Sequence, residues 1–277
     1  MINGTDGGWN MYKNPADGGS MIFDTHAHYD DEAFDADREE LLGSMEKNGI
    51  GHIINACSTW KSVSSTLELM EKYPFVYGAL GIHPSNIEDM NEERFEKIRQ
   101  LFTHPKAVAV GEIGLDYYWD KEEDIKKTQR EWFSRQLALA GELKKPVVIH
   151  SREAAKDTYD VMAASGGADL QGVIHCFSYT KEMGREFLKW DYHFGIGGVI
   201  TFKNARKLKE AVEYIPMDRI LLETDCPYLA PEPNRGKRNS SLNLPYVAEA
   251  IAQLKGVTAQ EVIEITQSNA KRLFGIQ

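Results

Sequence analysis

The sequence is poor in cysteine and has no long apolar run. Its three cysteines, Cys57, Cys176 and Cys226, are spread along the chain without a Cys-x-x-Cys pair, which argues against a disulfide framework or a zinc ribbon. No apolar run approaches the roughly 20 residues that cross a bilayer, and the amino terminus lacks a basic region followed by an apolar stretch. These absences predict a protein of the reducing cytoplasm with no membrane partner.

Basic side chains are also in the minority. The chain has 32 lysines and arginines against 42 aspartates and glutamates, a formal net charge of −10. A protein that coats duplex nucleic acid needs many cations to neutralise phosphates, so the charge balance argues against that class. It still allows an enzyme that binds a few phosphates at a local positive site.

The first 20 residues show no regular pattern. Residues 1–20 are rich in glycine, and a second methionine, Met21, stands directly before the first apolar run. We expect residues 1–20 to be a leader or a cloning remnant, disordered and outside the fold. Residues 21–277 have ample apolar material for a buried core and are predicted to form one domain.

From Met21 onward, short apolar runs alternate with longer amphipathic segments, which is typical of βα units in a parallel sheet. We predict eight strands, at residues 21–25, 51–57, 75–81, 107–112, 146–150, 172–176, 192–197 and 219–224. Helices are predicted at residues 35–48, 60–72, 91–103, 121–144, 153–165, 180–190, 203–214 and 244–255, with an extra helix at 258–273. This order predicts an α/β fold, a TIM (β/α)8 barrel with an extra C-terminal helix.

An open doubly wound sheet is the alternative, since it also alternates strands and helices. Such a sheet usually carries a glycine-rich phosphate loop after its first strand. Here that position holds His26, Ala27 and His28. The barrel is therefore favoured.

Side chains that bind metals end five of the predicted strands. The carboxyl ends of barrel strands meet at one mouth, where function sits. A single histidine at a strand end is more often structural, but five coincident ends indicate a metal centre. The candidate ligands are His26, His28, Glu112, His150, His175 and Asp225.

Six ligands exceed the four of one tetrahedral ion and suit two ions that share a carboxylate. Glu112 is predicted to be shared, with one ion on His26, His28 and Asp225 and the other on His150 and His175. Two divalent cations are the expected cofactors, and the donor types admit Zn, Mn, Fe, Co, Ni or Mg. A metal-activated water is the predicted nucleophile, and Asp225 either orients it and takes its proton or is simply a ligand.

Further residues are candidates for supporting the metals and binding substrate. Asp24 and Glu223 each stand two residues before a ligand and are predicted to orient ligand imidazoles. The loops after strands seven and eight of a barrel often bind phosphate. A solvated loop, or a structural ion pair for Arg152, is the alternative. The predicted phosphate-binding residues are Arg152, Lys203, Arg235, Lys237 and Arg238.

Four aromatic residues follow the ligand strands: Tyr117, Tyr118, Trp119 and Phe177. Exposed rings beside a phosphodiester site would stack on nucleobases. Packing over the barrel is the alternative for each of them.

Nine segments, in order along residues 21–275, resemble the TatD family of metal-dependent hydrolases. They are Asp-Thr-His-Ala-His (24–28), Gly-Ile-His-Pro (81–84), Gly-Glu-Ile-Gly-Leu-Asp-Tyr (111–117), Val-Ile-His-Ser-Arg (148–152), His-Cys-Phe-Ser (175–178), Gly-Gly-Val-Ile-Thr-Phe-Lys (197–203), Glu-Thr-Asp-Cys-Pro (223–227), Arg-Gly-Lys-Arg-Asn (235–239) and Asn-Ala-Lys-Arg-Leu-Phe (269–274). The resemblance implies a barrel of the amidohydrolase-like superfamily, a one- or two-metal site on the six residues above and deoxyribonuclease activity. It also implies that His83 matches the family's active-site histidine, which contacts the scissile phosphate or acts as an acid, with a structural role as the alternative.

The sequence therefore predicts a metal-dependent deoxyribonuclease with Glu112, Asp225 and His83 as catalytic residues. Its expected substrate is DNA, single-stranded or at its 3′ ends, with RNA as a second candidate. A hydrolase of amide, lactone or aminoacyl-ester bonds is the alternative, because an activated water also attacks a carbonyl. No obligate protein partner is expected.

Overall fold

The structure, a computed structural model, describes residues 19–277, so most of the predicted leader, residues 1–18, lies outside the described residues. Eight parallel strands follow one another in chain order around a barrel. The predicted TIM-barrel fold is confirmed. The strands are β1 (Ile22–Ala27), β2 (Ile50–Ala56), β3 (Val76–Leu80), β4 (Ala107–Asp116), β5 (Val147–Arg152), β6 (Gly172–Ile174), β7 (His193–Ile196) and β8 (Ile220–Leu222).

An α-helix follows each strand, and an extra helix ends the chain. The helices are α1 (Arg38–Gly43), α2 (Trp60–Lys72), α3 (Glu92–Leu101), α4 (Glu123–Leu143), α5 (Ala155–Ala164), α6 (Lys181–Leu188), α7 (Arg206–Tyr214), α8 (Leu244–Lys255) and α9 (Ala259–Phe274). Thr59 and Thr258 form capping boxes that start α2 and α9, and left-handed Gly256 and Gly275 end α8 and α9. Within residues 19–277, no helix combines the length and the apolar character needed to cross a membrane.

The first helix is shorter than the prediction at residues 35–48. It covers six residues, Arg38–Gly43, and short 3-10 turns precede and follow it. Its N-cap residue, Asp37, makes no capping hydrogen bond because both carboxylate oxygens accept from Arg238. Helix start signals in sequence assume a carboxylate free to cap, and here a distant cation competes for it.

The barrel interior is closed at its amino end by α9. Leu273 and Phe274 of α9 belong to the same buried cluster as Phe23 of β1 and Val148 of β5, and the rings of Phe23 and Phe274 lie 6.3 Å apart. Strand β4 is buried along all ten residues, as expected for a parallel strand covered on both faces. The carboxyl end is thereby left as the open mouth.

The seam between β1 and β8 is short and lies next to the mouth. Ala27 and Cys226 form a lone parallel bridge. The Asp225 N–H donates to the His26 carbonyl at 2.9 Å, and the His28 N–H donates to the Cys226 carbonyl at 2.9 Å. Closure of the barrel therefore places Asp225 beside the two histidines of β1.

Candidate metal centre

The barrel mouth brings together the six predicted ligands around a buried glutamate. Glu112 is 3% exposed. Its Oε2 lies 3.3 Å from His26 Nε2 and 3.7 Å from His28 Nε2, whereas its Oε1 lies 2.8 Å from His150 Nδ1 and 3.6 Å from His175 Nε2. The two oxygens of one carboxylate thus face two different pairs of imidazoles, which is the geometry that a shared carboxylate requires.

Asp225 joins the first pair of imidazoles. Its Oδ1 lies 3.3 Å from His28 Nε2 and 3.8 Å from His26 Nε2. The backbone of Asp225 has a φ of 57°, in the left-handed region that residues with side chains rarely adopt. Such conformations cluster at functional sites, where the surrounding structure holds them in place.

The donor atoms of this first group fit a divalent cation. Two ligand atoms about 2.1 Å from one ion lie about 3.4 Å apart at a tetrahedral angle. The Nε2 atoms of His26 and His28 and the Oδ1 of Asp225 are separated by 3.2 to 3.8 Å. His28 Nδ1 lies 2.9 Å from the Ala56 carbonyl oxygen, so Nδ1 carries the hydrogen and Nε2 presents a lone pair to the centre.

Two further carboxylates orient the second pair of imidazoles. Asp116 Oδ2 lies 3.0 Å from His150 Nε2, and Glu223 Oε1 lies 3.1 Å from His175 Nδ1. The outer nitrogen of His150 is hydrogen-bonded to Asp116, and that of His175 lies in ion-pair contact with Glu223. Each carboxylate favours the hydrogen on the outer nitrogen, which leaves the inner nitrogen to present a lone pair to the centre. The structure thus places Glu223 beside the imidazole of His175.

Sequence reasoning missed Asp116. The available signal is its position four residues after Glu112, because alternate side chains of a strand share a face. The predicted strand stops at residue 112, whereas β4 runs to Asp116. The longer strand carries a second carboxylate into the mouth.

The sequence predicts that Asp24 orients a ligand imidazole, and the structure shows that it does not. Its buried carboxylate accepts from the N–H and the hydroxyl of Thr224, from the hydroxyl of Ser241 and from the His26 N–H. Within the described residues none of its hydrogen bonds reaches an imidazole. Burial raises the pKa of Asp24 to about 7, although the hydrogen bonds from Ser241 and Thr224 oppose that rise. Asp24 therefore links the backbones of β1 and β8.

The centre stabilises positive charge. Burial opposes protonation of His28, but its hydrogen bond to Asp225 and the charge of Glu112 raise its pKa to about 9. Burial is likewise outweighed at His175, where Glu223 and Glu112 raise the pKa to about 10. Burial alone would raise the pKa of Glu112, yet the surrounding imidazoles hold it well below its usual range. A site that stabilises cations on its own side chains suits a metal ion.

His83 faces the same centre from the loop after β3. Its Nε2 lies 3.6 Å from Glu112 Oε1, and the Ser85 N–H donates to its Nδ1 at 3.1 Å. Burial, with the charge of His150, lowers the pKa of His83 to about 3. The ring is therefore neutral near pH 7, and its hydrogen lies on Nε2, on the side of the centre.

Two of the predicted phosphate-binding residues already have acidic partners. Arg238 donates to both carboxylate oxygens of Asp37. Arg235 stacks on Phe202, with its guanidinium carbon 4.1 Å from the ring centroid, and its Nη1 lies 4.0 Å from Glu232 Oε1. The charge of Arg238 is thus committed to an ion pair rather than to a substrate.

The other three predicted phosphate-binding residues, Arg152, Lys203 and Lys237, are exposed. In residues 19–277 no carboxylate lies within 4.0 Å of their cationic groups, and Lys237 Nζ lies 3.5 Å from Asn234 Oδ1. Arg152 stands two residues after His150 on β5, so the two side chains share a face of the strand. Of the three, Arg152 is the one that lies on a strand carrying a predicted metal ligand.

Of the four aromatic candidates, two are at least partly buried and two are exposed. Phe177 is buried, and its ring centroid lies 4.9 Å from that of Phe194, so it packs in the core and offers no surface for a base. Tyr117 is half-buried, and its hydroxyl donates to Asp157. Tyr118 and Trp119 are exposed.

A parallel barrel whose mouth gathers imidazoles around buried carboxylates defines a TIM-barrel hydrolase of the metal-dependent class. The family model for TatD related DNase matches residues 23–275. The chain therefore belongs to the TatD family of metal-dependent hydrolases.

Similar proteins cover nearly the whole chain. The uncharacterized metal-dependent hydrolase YabD of Bacillus subtilis (strain 168) is 44% identical, covering 92% of this chain and 100% of the relative. The uncharacterized metal-dependent hydrolase YcfH of Escherichia coli (strain K12) is 34% identical, covering 92% of this chain and 96% of the relative. Among solved structures, that of YjjV, a TatD homolog from Escherichia coli K12, matches with a TM-score of 0.85 and 30% sequence identity, covering 92% of this chain and 98% of the YjjV chain.

Proposed function

We propose that this chain is a metal-dependent deoxyribonuclease that hydrolyses phosphodiester bonds in single-stranded DNA or at 3′ ends. RNA is a second candidate substrate, and two divalent cations are the proposed cofactors. The observation that carries the proposal is Glu112, whose two oxygens face two separate pairs of imidazoles. The matching family model, described as TatD related DNase, supports the choice of DNA.

Divalent cations bound at such a centre neutralise a phosphodiester and lower the pKa of a water molecule. The side chains of this protein hold the remaining roles. Asp225 is 20% exposed, against 3% for Glu112, and its pKa is lowered because His28 and the neighbouring imidazoles outweigh its burial. It is the ionised carboxylate that the attacking water reaches, and it takes the proton. The neutral His83 offers its N–H to a phosphate oxygen.

The proposed location is the cytoplasm. Cys57, Cys176 and Cys226 are free thiols, and Cys57 and Cys226 are fully buried. Free thiols are usual in reducing compartments, which supports this location.

The test measures the metal content of the purified protein and the cleavage of single- and double-stranded DNA labelled at either end. We expect divalent metal in the protein and cleavage of single strands that excess chelator abolishes. Cleavage that persists in chelator would overturn the metal-dependent assignment. Turnover of amide, lactone or aminoacyl-ester substrates without cleavage of DNA would overturn the choice of DNA and favour the alternative.

A matched pair of variants tests the carboxylate. Glu112→Gln keeps the size of the side chain but removes the charge, so we expect a loss of activity of at least about 100-fold. The control is Glu131→Gln, on the exposed surface of α4, which should leave turnover unchanged. Equal turnover in both variants would overturn the role of Glu112.

A further inference from the structure

We infer that Arg152 and Trp119 form a nucleotide subsite at the rim of the metal centre. In this subsite the guanidinium binds a phosphate that flanks the scissile one, and the indole stacks on the attached base. The inference rests on the proposed function and deepens it, because it identifies the part of the substrate that the protein holds beside the reacting bond.

Arg152 is unusual among the arginines of this chain because it has no acidic partner. Ten of the twelve arginines place a guanidinium nitrogen within 4.0 Å of a carboxylate. Arg272 instead donates to Asn269. Arg152 is exposed on the ligand strand β5, and within residues 19–277 no carboxylate approaches it to 4.0 Å. In a chain of net charge −10, a free guanidinium beside a metal centre is suited to a phosphate.

Two exposed aromatic rings border Arg152. Trp119 is 65% exposed and Tyr118 is 39% exposed, and their rings lie 4.7 Å apart and nearly perpendicular, at 84°. The guanidinium carbon of Arg152 lies 4.0 Å from the Tyr118 ring centroid and 5.5 Å from that of Trp119. Tyr118 therefore supports the arginine, and the more exposed indole is left open for stacking.

Asp116 fixes this rim to the metal centre. Its Oδ1 accepts hydrogen bonds from the N–H groups of Tyr118 and Trp119, each at 3.0 Å. Its Oδ2 lies 3.0 Å from His150 Nε2. One carboxylate thus orients a ligand imidazole and positions the turn that carries both rings. A platform held in place before substrate arrives binds with less loss of conformational freedom.

The occupant that satisfies both groups is a nucleotide of a single strand. The free cation needs an anionic partner, and the exposed indole needs a flat apolar one. A nucleotide carries both a phosphate and a base, and bases of all four types stack on aromatic side chains. A duplex would keep its bases stacked on each other, so the subsite favours single strands.

The first experiment measures steady-state cleavage of a labelled single-stranded oligonucleotide by Trp119→Ala. Loss of one stacked base should raise KM about 5- to 150-fold with little change in kcat, and Trp119→Phe should recover most of the loss. The matched control is Tyr214→Ala. Tyr214, the last residue of α7, is 48% exposed and lies at the opposite end of the barrel from the mouth. The KM of Tyr214→Ala should therefore equal that of the wild type.

The second experiment replaces the base rather than the protein. On a strand built of tetrahydrofuran abasic residues, the wild type and Trp119→Ala should have the same KM, because no base is present to stack. Arg152→Gln should raise KM on both strands and reduce the slope of log KM against log salt by about 0.7, as expected for the loss of one phosphate contact to a single strand. Trp119→Ala should leave that slope unchanged.

The outcomes separate this inference from the function on which it rests. If the wild type cleaves no single-stranded DNA, the proposed function fails. If the wild type cleaves single-stranded DNA, either of two results would overturn only the stacking subsite. In the first, the KM of Trp119→Ala stays within twofold of the wild-type KM. In the second, Trp119→Ala raises KM by the same factor on base-bearing and abasic strands. An unchanged salt slope in Arg152→Gln overturns the phosphate contact. Thermal melting of each variant checks that the fold is kept.

Discussion

The carboxylate of Asp24 on β1 accepts two hydrogen bonds from Thr224, which follows β8 and lies 200 residues away in the chain. The donors are the Thr224 N–H at 3.0 Å and its hydroxyl at 2.7 Å. The hydroxyl of Ser241 donates to the same carboxylate at 2.6 Å. Because the backbones of β1 and β8 are joined by a lone bridge and a few hydrogen bonds, this carboxylate is part of the barrel closure.

Asp24→Ala should therefore destabilise the barrel by about 2–4 kcal/mol, because it leaves buried donors of Thr224 and Ser241 without an acceptor. Asp24→Asn keeps an acceptor oxygen and should cost less. The measurement is urea unfolding of the metal-free proteins at one pH. The comparison variant is Thr25→Val, which removes one seam hydrogen bond, to the Leu222 carbonyl, and should cost about 1 kcal/mol. Equal losses in Asp24→Ala and Thr25→Val would contradict the role of Asp24 in closure.

The barrel and the convergence of the candidate ligands at its mouth were predictable because both follow local rules. Apolar runs alternating with amphipathic segments indicate βα units, and the strand ends of such a barrel share one mouth. His26, His150 and His175 therefore converge without any knowledge of loop geometry. The contact between Glu223 and an imidazole follows from the two-residue period of a strand.

The residues that were misassigned depend on contacts distant in sequence. The partners of Asp24 become known only when β1 meets β8. Arg238 pairs with Asp37, 201 residues earlier, so a run of charges after β8 could not reveal which cation is free. Asp116 was missed for a different reason, because β4 continues beyond the apolar run that defined the predicted strand.

Acid should destabilise the protein through His193, and His193→Phe should remove that effect. Burial of His193, with the charge of Arg219, lowers its pKa from 6.5 to about 4. Below pH 6.5 the unfolded chain binds a proton at this residue that the folded chain does not, so stability falls as pH falls toward 4. One pKa unit corresponds to about 1.4 kcal/mol. Between pH 7 and pH 4 the free energy of unfolding of the wild type should therefore fall by roughly 2–3 kcal/mol more than that of His193→Phe.

The measurement is the free energy of unfolding in urea at several pH values. Carboxylates also titrate in this range, but both proteins contain the same carboxylates. Their contribution therefore cancels in the difference between the two free energies of unfolding. Parallel stability curves for the wild type and His193→Phe would show that His193 is protonated equally in the folded and unfolded states.

Gly195→Ala should weaken metal binding through Glu223. A Cβ at Gly195 on β7 would lie 1.9 Å from Glu223 Oε2, so the carboxylate must move away from His175 Nδ1 and from the Cys176 N–H that donates to it. Loss of such an orienting contact typically costs about 10- to 100-fold in metal affinity. Titration of metal-free protein with Zn²⁺ or Mn²⁺ measures the change. The control is Gly43→Ala, at a position with no atom within 4 Å of the added Cβ. Wild-type affinity in Gly195→Ala would show that Glu223 does not support the centre.

Asp116→Asn should impair metal binding more than Asp116→Ala, although it is the smaller change. In Asp116→Asn the amide oxygen remains the acceptor for the N–H groups of Tyr118 and Trp119, so the amide NH2 faces His150 Nε2. That nitrogen must then accept a hydrogen bond, which moves the ring hydrogen to Nδ1. Nδ1 is the atom 2.8 Å from Glu112 Oε1, and a hydrogen there removes the lone pair that a cation needs. Asp116→Ala loosens the rim but leaves the imidazole free to keep its hydrogen on Nε2. We expect metal affinity to fall at least about tenfold further in Asp116→Asn than in Asp116→Ala, measured by titration of both metal-free variants, and the reverse order would show that the tautomer of His150 is not set by Asp116.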